Sequence, residues 1–222
     1  MSSPHKTGYL GSSPRGPTNI RCVMLTLSTK LPRQLYVAVS GGVDSVAALD
    51  FLARNHDVRI AHLNHNEGNS NESAELVHKL ASYYNCPIYY KHIKTEKPRD
   101  MSREEFWRNQ RYTFFHSINS AVVTAHTLDD CVETWLWSSL HGRSKLIPYA
   151  NRNVIRPFLQ TRKQQFVSWA IRHKLLWVED ESNSDLTLAR NYIRYKLMPE
   201  ALQVNPGLHK TILKILKEQN VK

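Results

Sequence analysis

Two adjacent glycines flanked by hydroxyls and followed by an acid, Ser40-Gly41-Gly42-Val43-Asp44-Ser45, have the makings of a phosphate cradle. The glycines allow a tight turn and close backbone approach, and the serines offer hydroxyl donors. A helix starting directly afterwards would add free amides at the positive end of its dipole. The stretch is neither a Walker loop, which needs G-x-x-x-x-G-K-[ST], nor a dinucleotide fingerprint, which needs G-x-G-x-x-G. A plain Gly-Gly turn would need neither the serines nor an aspartate at its mouth.

A second group of residues lies further along. His126, Asp130 and Glu133 are spaced four and three apart, so on a helix they share one face, where two carboxylates can hold an ammonium group. The same acids also suit the first turn of any helix, with Asp129 as its cap, and the residues alone leave both readings open. Arg111 fits a phosphate or carboxylate clamp through its bidentate fork. Arg190 and Arg194, four apart, could grip a phosphate or a nucleic-acid backbone or simply decorate a helix. His62 and His65 end a strand and either line a pocket or are hydrogen-bonded structural groups.

The elements that must position these residues follow from periodicity. Residues 35–39, 58–63, 88–93, 121–124 and 153–155 are predicted strands, and 44–54, 70–84, 103–118 and 128–140 the helices between them. Strictly alternating strand and helix predicts an α/β fold with a doubly wound parallel sheet covered on both faces. From residue 161 the chain turns helical, at 161–173, 188–197 and 206–217, as a small C-terminal extension. The glycine loop then falls between the first strand and first helix, and His126–Glu133 where the fourth strand enters its helix. Tyr112, Phe114, Phe115, Trp135, Trp137, Trp169 and Trp177 are read as packing residues.

Composition narrows the partners. The 222 residues carry 30 Lys and Arg against 19 Asp and Glu, a net charge of +11. Residues 1–33 hold +5, 34–140 hold −3 and 141–222 hold +9. A mildly acidic half followed by a basic one suggests a chemical module and a surface for a polyanion. Three scattered cysteines, Cys22, Cys86 and Cys131, exclude a disulfide scaffold and a zinc ribbon and fit a reducing compartment. No apolar run approaches the roughly 18 residues of a membrane span. The predicted division is a basic tail over 1–33, rich in Ser, Pro and Gly, a catalytic domain over 34–185 and a helical segment over 186–222.

The glycine loop resembles the pyrophosphate-binding loop of the N-type ATP pyrophosphatases. Taken with His62-Leu63-Asn64-His65, Arg108-Asn109-Gln110-Arg111-Tyr112, the run from Thr124 to Thr134, Arg156-Pro157-Phe158-Leu159, Glu179-Asp180-Glu181-Ser182-Asn183-Ser184-Asp185 and Arg190-Asn191-Tyr192-Ile193-Arg194, the order resembles the tRNA(Ile)-lysidine synthetase family from about residue 35 to 200. The resemblance implies ATP held by Ser40–Ser45 and a Mg2+ ion held through Asp44. It implies catalytic roles for Asp44, Arg111, His126, Asp130 and Glu133, and contacts to RNA or substrate from Arg108, Arg156, Arg190 and Arg194. The partners would be a tRNA, through its anticodon, and free L-lysine, in the cytoplasm or an organelle matrix, with no membrane. The sequence departs from the family at Asn64, where an aspartate is common, and at His141-Gly142-Arg143-Ser144, where a glycine-richer loop is usual. It also has the look of a short form without further tRNA-binding domains. Two rivals stand beside this reading: a sulfur-transferring tRNA enzyme, for which Cys131 is the one cysteine near the site, and a non-catalytic basic RNA-binding module.

Overall fold

The computed structural model describes residues 24–65, 70–179 and 185–219. Six strands form one sheet: β1 (Gln34–Ala38), β2 (Asp57–Asn64), β3 (Ile88–His92), β4 (Val122–Val123), β5 (Ala150–Asn151) and β6 (Val154–Ile155), in the order β3-β2-β1-β4-β6-β5. All pairs are parallel except β5–β6. The doubly wound prediction holds, with one addition. A hairpin turning at Arg152, whose φ is +53°, adds β5 as an antiparallel edge where the sequence predicts a lone strand over 153–155.

The alternation along β1 decides how the layers form. Leu35, Val37 and Val39 point to one face, against α1 (Val43–Ala53), α2 (Ser70–Tyr83) and α5 (Lys163–Arg172). Tyr36 and Ala38 point to the other, where α3 (Arg103–His116) brings the fully buried Phe114 and Phe115 onto Val122 and Val154. A strand apolar on both faces is the mark of a covered parallel sheet. On the first face Phe158 meets Phe51 and Phe166 edge-on at ring distances of 6.0 and 5.2 Å.

The C-terminal helices share the core of the sheet domain. The chain after β6 and α5 runs through α6 (Ala189–Tyr192), a π-helical turn (Ile193–Leu197), α7 (Met198–Val204) and α8 (Leu208–Gln219). Leu208, Ile212 and Leu216 of α8 pack on Leu128, Cys131 and Val132 of α4 (Leu128–Leu140). Residues 1–23 of the predicted tail lie outside the described residues, but its last part is a correction. Leu25 is buried, Ser28 bonds the carbonyl of Pro157 through both N–H and hydroxyl, and Thr161 donates to Thr26 O. Periodicity missed this because the segment is held by single anchors rather than by a repeating face.

Candidate active site

The sheet order reverses between β1 and β4, so the loops leaving their carboxyl ends splay apart and leave a crevice, the place where open α/β sheets bind ligands. The glycine loop leaves β1 and the acidic helix α4 follows β4, as the sequence predicts.

The loop is built as a cradle. Gly41 has a φ of +93°, a conformation costly for any other residue, and a side chain there would press on Ser73 of α2 at 3.1 Å. Ser45 Oγ accepts from the Ser40 amide at 3.1 Å and donates to Gly42 O at 2.9 Å, fixing the turn from inside. Gly42 is the N-cap of α1 and supplies no side-chain cap, so the first-turn amides that follow, including those of Val43 and Asp44, face the crevice as donors for an anion.

Asp44 stands at the mouth. One of its oxygens accepts from Lys163 Nζ at 2.9 Å, and the other, Oδ1, is buried with no hydrogen-bond partner. Burial pushes its carboxyl above the usual range in spite of Lys163. A buried, unsatisfied carboxylate oxygen beside a phosphate cradle suits a hard cation, which takes one or two carboxylates together with phosphate oxygens. Among the described residues no group of three or more His, Cys, Asp or Glu stands together as a metal site, so any ion here depends on the phosphates. Lys163 escaped the sequence reading. The signal was a lysine in the first turn of a helix, where the dipole disfavours it unless an acid is near.

Across the crevice, Thr127 caps α4 in a reciprocal box: its hydroxyl accepts from the Asp130 amide, and Asp130 Oδ2 accepts from the Thr127 amide at 2.7 Å. The prediction that Asp129 is the cap is thereby corrected. Asp129 instead takes the Lys163 amide at 2.8 Å, Arg162 Nε at 3.2 Å and His209 Nε2 at 3.1 Å, tying α4 to α5 and α8. Burial works against its charge, but these donors hold its carboxyl below the usual range.

Asp130 and Glu133 do lie together in the crevice, and they carry guanidinium partners. Arg190 reaches Asp130 Oδ1 at 2.6 Å and Glu133 Oε2 at 3.2 Å, and Arg194 reaches Glu133 Oε1 at 2.6 Å and Oε2 at 3.0 Å. Both arginines, expected to contact RNA or substrate, turn inward onto the acid pair, Arg190 from α6 and Arg194 from the π turn that follows it. Glu133 is 4 % exposed and the Arg190 side chain 48 %, so the acids are fixed and one cation has an open side to water. Burial pushes Asp130 up, but Arg190 and His126 outweigh it and hold it low.

His126 precedes the helix rather than riding on it, and its Nδ1 lies 2.8 Å from Thr124 Oγ1. Loss of water lowers its pKa to about 4, with Asp130 acting against that shift and Arg156, Arg190 and Arg111 with it. It is therefore neutral near pH 7 and able to accept a proton. The same interactions place His126, Asp130, Arg111, Arg156 and Arg190 within one electrostatic cluster, and Asp44 feels Asp130 and Arg194.

The remaining candidates divide. Arg156 is buried and donates to Pro148 O and Tyr112 Oη, both at 2.7 Å, which makes it a brace between α3 and the 148 loop and corrects its expected place on an RNA surface. Arg111 is exposed on α3 next to the cluster, and Arg108 lies over the Tyr112 ring at 5.6 Å. His62 donates from Nδ1 to Val39 O at 2.7 Å, the hydrogen-bonded structural reading. Asn64 donates to Tyr90 Oη. Trp137, expected to pack, is 48 % exposed and lies over His141 at 4.4 Å. Cys131 is buried, and burial together with Asp130 pushes its thiol up to about 12, a poor nucleophile at neutral pH.

An open, mostly parallel sheet with a glycine cradle and an acidic helix at its switch point defines a nucleotide-handling α/β domain. The chain belongs to the PP-loop domain family, whose model matches residues 18–201. The tRNA(Ile)-lysidine synthase of Thermosipho africanus is 31 % identical over 202 residues, which cover 83 % of this chain and 47 % of that protein. That of Streptococcus pyogenes serotype M3 is 34 % identical over 193 residues, 78 % of this chain and 42 % of its own. The chain thus spans less than half the length of these curated relatives. Among solved structures, the U34-tRNA thiolase NcsA from Methanococcus maripaludis with its [4Fe-4S] cluster superposes with a TM-score of 0.69 at 14 % identity, over 90 % of this chain and 75 % of that one. That likeness speaks for the fold alone.

Proposed function

We propose that the chain joins lysine to C2 of a cytidine in the anticodon of tRNA(Ile), using ATP and passing through an adenylated cytidine. The observation that carries the reading is the convergence of two unlike sites on one crevice: an anion cradle at Gly41–Ser45 and, close enough to act on Asp44, a carboxylate pair already built to hold cations. The names of the relatives supply the substrates.

In this reading the Val43 and Asp44 amides and the Ser40 hydroxyl hold the phosphates of ATP, Ser45 keeps the turn in shape from inside, and Lys163 stands beside them on Asp44. Asp44 Oδ1 would hold Mg2+, which supplies charge neutralisation on the phosphates when bound. The cytidine O2 attacks the α phosphorus and pyrophosphate leaves, giving a C2–O–AMP linkage. The ε-amine of lysine then attacks C2, and AMP departs with the O2 oxygen. Arg111 is placed to meet the charge on the departing phosphate.

Lysine arrives as an ammonium ion, and Asp130 and Glu133 receive it as Arg190 swings toward solvent while Arg194 stays. One proton must leave before the amine can attack. Glu133, which receives the ammonium, and the neutral His126 are the acceptors in this reading. The catalytic unit in this proposal is residues 34–185, and 186–222 contributes the arginines that hold the acid pair.

The test is mass spectrometry of nucleosides from tRNA incubated with the protein, ATP and isotope-labelled lysine. A cytidine carrying the label supports the reading. Labelled sulfur incorporation in its place, or RNA binding with no modified nucleoside, would assign the chain to one of its rivals.

A further inference from the structure

A cavity of about 570 Å³ opens outside the switch-point crevice, at the carboxyl ends of β2 and β3 against the first turns of α3. Cavities of roughly 300–1,000 Å³ are of the size that takes a small organic ligand. Its floor is aromatic. Arg103, Phe106 and Trp107 stand three and four apart on one face of α3, which Ser102 caps by accepting from the Glu105 amide. Phe106 is buried, and its ring lies 4.8 Å from that of Trp107, whose other neighbour is His65 at 4.9 Å, edge to face. The indole is thus held between two rings before any ligand arrives.

The rim is basic. Lys94 and Lys97 follow β3 and face Arg103 across the opening, with Glu96 the one acid among the lining residues and His92 beside them. Lys97 donates to Pro98 O at 3.0 Å and Met101 O at 2.9 Å, so it braces the loop, while Lys94 and Arg103 are exposed cations of the rim. A flat, pre-held indole beneath a cationic rim suits a nucleobase with its phosphate, since every base offers a stacking face and every nucleotide of a strand one negative charge.

Position selects among nucleotides. In the order β3-β2-β1 the cavity lies two strand spacings from the phosphate loop, roughly 10 Å at about 4.8 Å each. A stacked strand rises roughly 3.4 Å per nucleotide, so the cavity is about three nucleotides from the crevice. A free nucleoside triphosphate finds no glycine cradle here, whereas a strand with its reacting base in the crevice passes over this rim.

We propose that the cavity holds an unpaired nucleotide of the RNA substrate, about three positions along the strand from the reacting base, with its base on Trp107 and its phosphate at Lys94. The proposal rests on the RNA reading above and adds a contact outside the reacting site.

The test is fluorescence anisotropy of the full chain with a labelled anticodon stem-loop RNA, without ATP or lysine. Trp107→Ala is expected to weaken binding about tenfold, and Trp107→Tyr to restore most of it, because stacking needs a flat ring. Lys94→Gln, at an exposed position that leaves folding intact, should weaken binding and reduce the slope of log affinity against log salt by about one. Wild-type affinity in both Trp107→Ala and Lys94→Gln would overturn the proposal and leave the ligase reading standing. Equally tight competition by AMP would overturn it too, by making the cavity a mononucleotide site. Loss of RNA binding in these variants, in a protein that forms no modified nucleoside, would support the cavity while removing the ligase reading.

Discussion

The phosphate loop and the acidic helix face each other across one crevice, but they are assembled in opposite ways. The turn of the loop is shaped mostly within six residues, by the positive φ of Gly41, the Ser45 hydroxyl under the turn and the uncapped start of α1, with the Val178 amide on Gly41 O and Lys163 on Asp44 as its distant partners. The acid pair also sits within one helical turn, yet its state is set by Arg190 and Arg194, about sixty residues further along the chain. A local site keeps its function through local substitutions. A site completed from afar couples its electrostatics to the packing of the C-terminal helices.

The sharpest break of that comparison lies at the loop. Asp44→Asn is expected to slow pyrophosphate release by at least about 100-fold, as loss of a group placed where charge develops usually does, while RNA affinity in a filter-binding assay stays the same. Lys163→Met should give a smaller loss, about tenfold, in the same release assay. Unchanged rates would take both residues out of the phosphate site.

At the acid pair, Glu133→Gln leaves two guanidinium groups with one carboxylate. Breaking a buried pair costs about 3–5 kcal/mol, and the half-exposed Arg190 brings the expected loss in urea unfolding to about 2 kcal/mol. The lysine concentration for half-maximal product should rise tenfold or more. Arg190→Gln should instead lower it several-fold, by opening Asp130 to the substrate. A rise with Arg190→Gln would mean that the guanidinium stays in place during the reaction.

Asp129→Asn tests the tie between α4, α5 and α8. It should cost about 2 kcal/mol in urea unfolding, because the Lys163 amide, Arg162 and His209 lose their acceptor. The sign of the pH dependence follows. The carboxyl is held low in the folded state, so its contribution is present above the unfolded value and lost as pH falls through the folded one. The acid limb of the stability curve should therefore be flatter in the variant.

His126 acts in the same sense over a higher pH window. Its pKa is lowered from 6.5 to about 4, so the unfolded chain binds the extra proton and stability falls as pH drops from 6.5 to about 4. His126→Gln should remove that part of the slope, at most about 3 kcal/mol across the window and less for a ring that keeps some contact with water. Thermal melts at a series of pH values would show it, and an unchanged slope would mean that the imidazole is not desolvated.

The smallest effect is expected in RNA binding. The charges of Arg190 and Arg194 are matched by Asp130 and Glu133, so changing both to Ala should alter the salt slope by less than one. A larger change would place them on the RNA.

What the sequence made legible follows the same division. The loop, the alternating strands and helices around it and the acids on α4 were readable because each is a short-range pattern of glycine, apolar period or helical spacing. Three features were not. The inward turn of Arg190 and Arg194 depends on the long-range packing of α6 and the π-helical turn after it, which no residue pattern marks. Asp129 reads as a cap by position, but Thr127 takes that place because its hydroxyl and Asp130 close a reciprocal box. The segment from Leu25 to Leu31 has too few apolar residues to show a period, yet joins the core one anchor at a time. Residues 180–184 within the expected Glu179–Asp185 stretch lie outside the described residues.

The measurement that bears most directly on the shared crevice is a single-turnover experiment following pyrophosphate and AMP separately. If the cradle adenylates the cytidine and the acid pair then delivers the amine, pyrophosphate appears when tRNA and ATP are present without lysine, and AMP follows only when lysine is added. Pyrophosphate release that requires lysine but not tRNA would make the amino acid the adenylated substrate and would contradict the account.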